Sequence, residues 1–178
     1  MKNHVAFVIL TFIFILSACR GAKKTREKRE WSDEHSVDYN QEINEREKIQ
    51  INLFLAHNAS LKMILTESGL RYMIYKQGSK GELAQTGQTA SIRVKVETFD
   101  GIVRYETGLQ RREEKTESFA IDKSEKESGI HEVLKYMKVG DKAKVILPSY
   151  LGHGLLGDRE NIPPQAILYI DLELISLK

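Results

Sequence analysis

Few side chains in this 178-residue sequence could do covalent chemistry. Cys19 is the one cysteine, so no disulfide can close within the chain, and a free thiol or an intermolecular bridge is the default reading. His35, His57 and His131 show no metal-ligand spacing, which assigns them to the surface or to a tether and leaves no metal site. Glu113 and Glu114 sit within the charged stretch "RREEKTES" and read as solvated charge, not as an acid–base pair. His153 stands apart. It lies in "LGHGLLGDRENIPPQ" (151–165), among Gly152, Gly154 and Gly157 and close to two of the chain's three prolines. A histidine on such a loop either faces water or offers an N–H to a neighbouring cleft, and the residues alone leave both open.

The position of Cys19 narrows its role. Residues 5–16, "VAFVILTFIFIL", form an unbroken apolar run behind Lys2. A membrane span needs about twenty apolar residues, so this run reads as the core of a signal peptide. "LSAC" at 16–19 follows directly and resembles the bacterial lipobox, whose cysteine is acylated and becomes the new N-terminus. Residues 1–18 are then a lipoprotein signal peptide, and 19–65 a lipid-anchored basic tether and helix. Two acyl chains anchor stably, since each buried methylene adds about 0.8 kcal/mol. The basic run 20–29, "RGAKKTREKR", either holds anionic headgroups at about 1 kcal/mol each or is a solvated tether. Nucleic acid is not an expected partner of an exported chain. Arg20, where an aspartate would signal inner-membrane retention, leans toward the outer membrane, facing the periplasm. A net charge of +2 implies no strong general field.

The elements that must position any cleft come next. Residues 39–57 contain no proline and carry Ile43, Ile49, Ile51, Leu53, Phe54 and Leu55, predicting a helix that is amphipathic mainly toward its end. It could pack on the domain, contact a second copy or act as a spacer. From Thr66 the texture changes to strands. Residues 70–76 are rich in Tyr and Ile between Gly69 and Gly78. Residues 91–97 alternate strictly, with Ile92, Val94 and Val96 on one face and Arg93, Lys95 and Glu97 on the other. "FDG" at 99–101 makes a turn and "IVRYE" an antiparallel return. Residues 111–118 read as a loop and 119–121 as a short strand. Ile130, Val133, Leu134 and Met137 fall on one helical stripe, with Ser128 to cap its start and Gly140 just past its end. Residues 142–147 alternate again, and Leu168, Ile170, Leu172 and Leu174 line a last strand. This order gives an α+β class, an antiparallel sheet with a helix on one face.

Four stretches resemble the FK506-binding-protein (FKBP) type of peptidyl-prolyl isomerase. They are "SGLRYMIYKQG" (68–78), "GQTASIRVKVETFDG" (87–101), "LKYMKVGDKAKVILPSYLGHG" (134–154) and "IPPQAILYIDLELISL" (162–177), the last the most specific. The likeness covers residues 66–178, read as an FKBP-type domain. With the lipobox and tether, the chain looks most like the gliding-motility-associated isomerase lipoproteins of Bacteroidota. The resemblance implies a bent antiparallel β-sheet wrapped on one short α-helix, preceded here by a helical tether, with an apolar cleft between helix and sheet. The glycine- and proline-rich loop would be its rim. The implied reaction twists an X-Pro bond over a barrier of ~18–20 kcal/mol by holding the prolyl ring in a dry pocket, without a covalent intermediate, metal or cofactor.

Carried over position by position, the resemblance puts Val94 where a strand tyrosine usually stands and Tyr105 and Glu106 on a Phe-Asp pair. Phe119 keeps a wall aromatic. Lys126 and Glu127 replace an apolar Val-Ile pair, Ile130 a floor tryptophan, and His153 the tyrosine of an Ala-Tyr-Gly motif. Ile162 matches, and Ile170 replaces a phenylalanine. A cleft that has lost these aromatics predicts weak turnover. The expected partners are proline-containing segments of exported proteins, the membrane through lipidated Cys19, and an assembly through the 39–57 helix. Two alternatives stay open: a non-catalytic FKBP-fold chaperone, and a structural lipoprotein of a motility or secretion assembly. The lipobox reading is checked by partitioning and mass spectrometry. Cys19→Ser should leave the detergent phase, and wild-type Cys19 should carry acyl chains; an unmodified wild-type thiol ends that reading.

Overall fold

A computed structural model describes residues 33–78, 81–108 and 116–178. Cys19, the apolar and basic runs before it and after it, and Glu113 and Glu114 lie outside the described residues. Val37–Lys178 form one compact unit. Among the described residues no helix is long and apolar enough to cross a membrane.

The alternating stretches pair as one antiparallel sheet. In chain order the elements are α1 (Asp33–His57), β1 (Ile64–Leu65), β2 (Arg71–Lys76), β3 (Thr89–Thr98), β4 (Val103–Glu106), β5 (Glu117–Ala120), α2 (Ser128–Leu134), β6 (Lys142–Leu147), a 3-10 turn (Ser149–Leu151) and β7 (Leu168–Leu177). The sheet runs β1-β2-β6-β7-β3-β4, with β5 also paired to β3. Long β3 therefore meets β7 along one edge and both β4 and β5 along the other. The expected turn is present: Gly101 takes φ +80°, its N–H donates to Thr98 O at 2.9 Å, and Asp100 Oδ1 accepts from Ile102 N–H. Asp-Gly suits this because glycine takes a positive φ without a Cβ penalty.

One face of the sheet buries Ile92, Val94, Ile170, Leu172 and Leu174 against Ile130, Val133, Leu134 and Met137 from α2 and the turn after it. Each such side chain contributes about 1.5–3 kcal/mol by leaving water. Gly129 sets how close α2 comes, because a Cβ there would strike Leu147 Cδ2. The helix departs from expectation at both ends. Glu127, not Ser128, is the N-cap residue, and no side chain caps the helix; Ser128 Oγ instead donates to Leu151 O at 3.3 Å. The helix closes at Leu134, and Lys135, Tyr136 and Met137 continue with i to i−3 backbone bonds, a tighter winding that still buries Met137. Gly140 does take a positive φ, at the turn into β6.

The other face of the sheet receives α1, which is longer than predicted. Ile43, Glu47 and Ile51, spaced four apart, form its buried stripe. Ile51 packs with Ile146 and Ile167, and Phe54 stacks on Phe99 at 4.3 Å between ring centres. Arg46 Nη2 donates to Gln165 Oε1 at 2.7 Å. Of the three roles left open for this helix, packing on the domain is the one observed. Ile51→Ala should cost about 2–5 kcal/mol, the range for emptying a buried large aliphatic site, and lower the denaturant midpoint accordingly. An unchanged midpoint would mean that α1 contributes nothing to the fold.

Candidate functional site

The inward face of β3 carries Val94, opposite Leu172 in register, and Val96 opposite Ile170. Val94, Ile130, Ile162 and Ile170 join one buried cluster, with Tyr105 and Phe119 partly buried against it. Val94, Ile130 and Ile170 are only 2–3% exposed, so the aliphatic residues that replace the expected aromatics are sealed together. Beside Tyr105 and Phe119 an open depression of about 460 Å³ remains, lined also by Glu117, Ser118, Glu125 and Lys126.

A chain of charges crosses this region. Lys126 Nζ lies 2.8 Å from Glu117 Oε2 and 3.4 Å from Glu127 Oε2, and Glu127 Oε1 lies 2.9 Å from His153 Nε2. Strand β5, the start of α2 and the glycine-rich loop are thereby tied together. His153 turns its Nε2 toward Glu127 and stays partly exposed. Burial alone would lower the Lys126 pKa, but Glu127 and Glu117 outweigh it and hold the group above its usual value, so it stays an ammonium. Glu117 Oε1 is buried with no hydrogen-bond partner. No sequence signal singled out Glu117, since it sits in a run of charged and polar residues.

Glu106 does not join this group. It pairs opposite Lys95 in the β3–β4 register and lines a second depression with Arg93, Lys95 and Glu173. Alternation along the strand explains this, since Tyr105 and Glu106 must point to opposite faces. The next residue takes the inner position: Thr107 is buried, its Oγ1 accepts from Val94 N–H at 3.0 Å, and its N–H donates to Val94 O. His131 also differs from the surface role expected of it. It is buried, its Nδ1 accepts from Asp122 N–H at 3.0 Å, and it meets the Phe119 ring edge-on at 5.4 Å. Nδ1 as acceptor places the proton on Nε2, which faces Ser124 O. The histidine therefore fixes the orientation of a cleft wall.

The rim loop is held by Asp158. Its Oδ1 accepts from the N–H groups of Glu160, Asn161 and Ile162 at 2.9, 2.8 and 2.7 Å. Gly157 takes φ +67°, and a Cβ there would strike Ile162 O. This knot seats Ile162 at the edge of the cluster. For the Asp158 carboxyl, burial pushes the pKa up, but the three backbone N–H bonds outweigh that and hold it below the usual aspartate value.

Residues 80–175 match the family model for FKBP-type peptidyl-prolyl cis-trans isomerase. The chain is 31% identical to the FKBP-type peptidyl-prolyl cis-trans isomerase FkpA of Buchnera aphidicola, over 73% of this chain and 50% of that protein. It is 31% identical to the FK506-binding protein of Neisseria meningitidis serogroup C, over 57% of this chain and 90% of that one. The crystal structure of FkpA from Escherichia coli superposes with a TM-score of 0.58 at 25% identity, covering 84% of this chain and 74% of that one. The chain spans half or less of the length of the FkpA relatives it matches.

The Asp158 knot predicts a pH-dependent mutant effect. A depressed folded-state pKa means that the carboxylate stabilises the fold above the ordinary value of about 3.9 and loses that contribution as pH falls through the depressed one. Asp158→Ala should therefore cost about 1–2 kcal/mol at neutral pH, by analogy with a lost cap. The gap between variant and wild type should shrink as the pH is taken below 4. Denaturant titrations across that range check it; a gap that is constant with pH contradicts it.

Proposed function

The chain belongs to the FKBP-type peptidyl-prolyl cis-trans isomerase family, and on that footing we propose that it catalyses X-Pro isomerisation in exported proteins, at a membrane that holds it through lipidated Cys19. The observation that carries this reading is the open depression between Tyr105 and Phe119, with donors at its edge. Both rings line it, so a prolyl ring can rest against them while the neighbouring peptide stays outside. Twisting the amide removes resonance, so the carbonyl loses polarity and the nitrogen gains a basic lone pair. Lys126 has three N–H donors and two carboxylates beside it, which leaves one for the substrate. Stabilisation arises only as the bond twists, which is what raises a rate instead of merely tightening binding.

A second reading has its own support. Because Val94, Ile130 and Ile170 are sealed, a prolyl ring meets a shallow surface and not a deep aromatic slot. That favours a module that binds extended segments with little turnover, an FKBP-fold chaperone. The assembly reading, a lipoprotein of the gliding-motility or secretion type, draws on α1, where Ile49 and Leu53 are both more than half exposed one turn apart. The outer membrane, facing the periplasm, is the proposed location in each case, on the strength of "LSAC" and Arg20.

The uncatalysed step takes tens to hundreds of seconds and slows on cooling, so an isomer-specific peptide assay run cold will register modest catalysis. The chain from Cys19 onward should accelerate it weakly. Tyr105→Ala and Phe119→Ala should each lower kcat/KM about threefold to tenfold, the equivalent of 0.5–1.5 kcal/mol of aromatic contact. A wild type that is inert yet slows aggregation of an unfolded client would replace the isomerase reading with the chaperone one.

A further inference from the structure

A further cavity, of about 290 Å³, lies between α1, the β1–β2 turn and the chain entering the 3-10 turn. Its walls include Ile51, Leu65, Pro148 and Tyr150. Two charged side chains more than nine-tenths buried line it. Glu47 is 3% exposed; its Oε2 accepts from Ser149 N–H at 2.8 Å, and its Oε1 is buried with no hydrogen-bond partner. Arg71 is 9% exposed, and one of its five N–H donors reaches Asn52 Oδ1 at 3.1 Å. Burial lowers the Arg71 pKa, and Tyr150 opposes that shift. An isolated buried carboxylate oxygen is costly to leave unpaired, so the cavity presents an acceptor and spare donors at once.

The neighbouring strand points to what fills it. β1 is the edge strand of the sheet, only two residues long, and both of its side chains, Ile64 and Leu65, are more than half exposed. An unpaired strand edge is a template for another extended chain, and natural edges are guarded by brevity, charge, proline or a bulge; β1 is brief but lacks the other three. Here two aliphatic side chains stand at the edge instead. A lone cation would meet Arg71 in the cavity, and a lone anion would meet Glu47. A peptide group satisfies both, with its N–H toward Glu47 Oε1 and its carbonyl toward Arg71. We infer that the β1 edge with the Glu47–Arg71 cavity is a second polypeptide-binding site, which takes an extended apolar segment of an unfolded chain by strand addition and needs no proline. It would hold a client while a prolyl bond some residues away reaches the cleft.

The inference is tested by binding, independently of turnover, so its failure and that of the isomerase reading are separable. The probe is an end-blocked, proline-free peptide of about eight Val, Leu and Thr residues, titrated by fluorescence anisotropy onto the intact chain. Wild type should bind it saturably. Glu47→Gln keeps an oxygen for Ser149 N–H but can turn an NH₂ toward the position of Oε1, so affinity should fall about tenfold or more, as expected for a lost hydrogen bond to a charged group. Leu65→Asp, at an exposed position that cannot unsettle the core, should weaken binding comparably. Isomerisation of a short proline peptide should be unchanged in both variants. No saturable binding by wild type, or wild-type affinity in both variants, would overturn the inference and leave the cavity as a pocket for ordered water.

Discussion

The antiparallel pairing of β3 with β7 is the constraint on which the remainder of the molecule rests. Its register runs from Ala90 opposite Leu177 to Thr98 opposite Leu168, with one irregularity between Ser91 and Ile92. Because side chains alternate along a strand, that register turns Ile92, Val94 and Val96 to the same side as Ile170, Leu172 and Leu174. A slip of β7 by one residue would carry Ile170, Leu172 and Leu174 to the outer face and bring Asp171 and Glu173 into the core. Both carboxylates are neutralised outside: Arg93 and Lys142 meet Glu173, and Lys144 meets Asp171. Helix α2 can approach only the apolar side, and α1 covers part of the other.

The cleft follows from this arrangement and from what the chain has put in place of aromatics. Val94, Ile130 and Ile170 close the apolar floor, and the rim beside it is polar. Glu117, Lys126 and Glu127, with His153 at the end, form a polar strut that ties β5, the start of α2 and the rim loop together. Such a strut fixes geometry more than it adds stability, because desolvating the charges offsets much of their attraction. It makes the rim rigid and electrostatically specific, whereas a deeper pocket would bind more by area. A catalyst of bond rotation can use either, but the first depends on where a few donors sit.

Much of the sheet was legible from alternation alone, since residues 91–97 and 142–147 and the Asp100-Gly101 turn carry their pattern locally. The short helix was legible from its stripe, but its ends were not. Ser128 is drawn to Leu151 O instead of capping, and the chain tightens after Leu134 while Met137 stays buried; no local signal carries either. For α1 the obstacle was Glu47. A carboxylate in the middle of the buried stripe erases the amphipathic pattern, and its partner, Ser149 N–H, lies 102 residues away. His131 was misassigned for a similar reason: its partner is a backbone N–H at the positive-φ residue Asp122. Glu106 was misplaced because a family position fixes a residue's place in the chain but not the face it takes. The fold was written in periodicity, and the site in long-range polar contacts that periodicity cannot express.

The Tyr105–Phe119 depression, edged by Lys126 with Glu127 and His153 behind it, is the proposed place where a prolyl bond is turned. Exchange spectroscopy by NMR on a proline peptide, read together with backbone shift changes in the protein, tests it most directly. Cis–trans exchange cross-peaks should appear only with protein present, and shift changes should concentrate at Tyr105, Phe119, Lys126, Glu127 and His153. Shift changes that avoid those residues, or peptide binding there with no exchange, would contradict it.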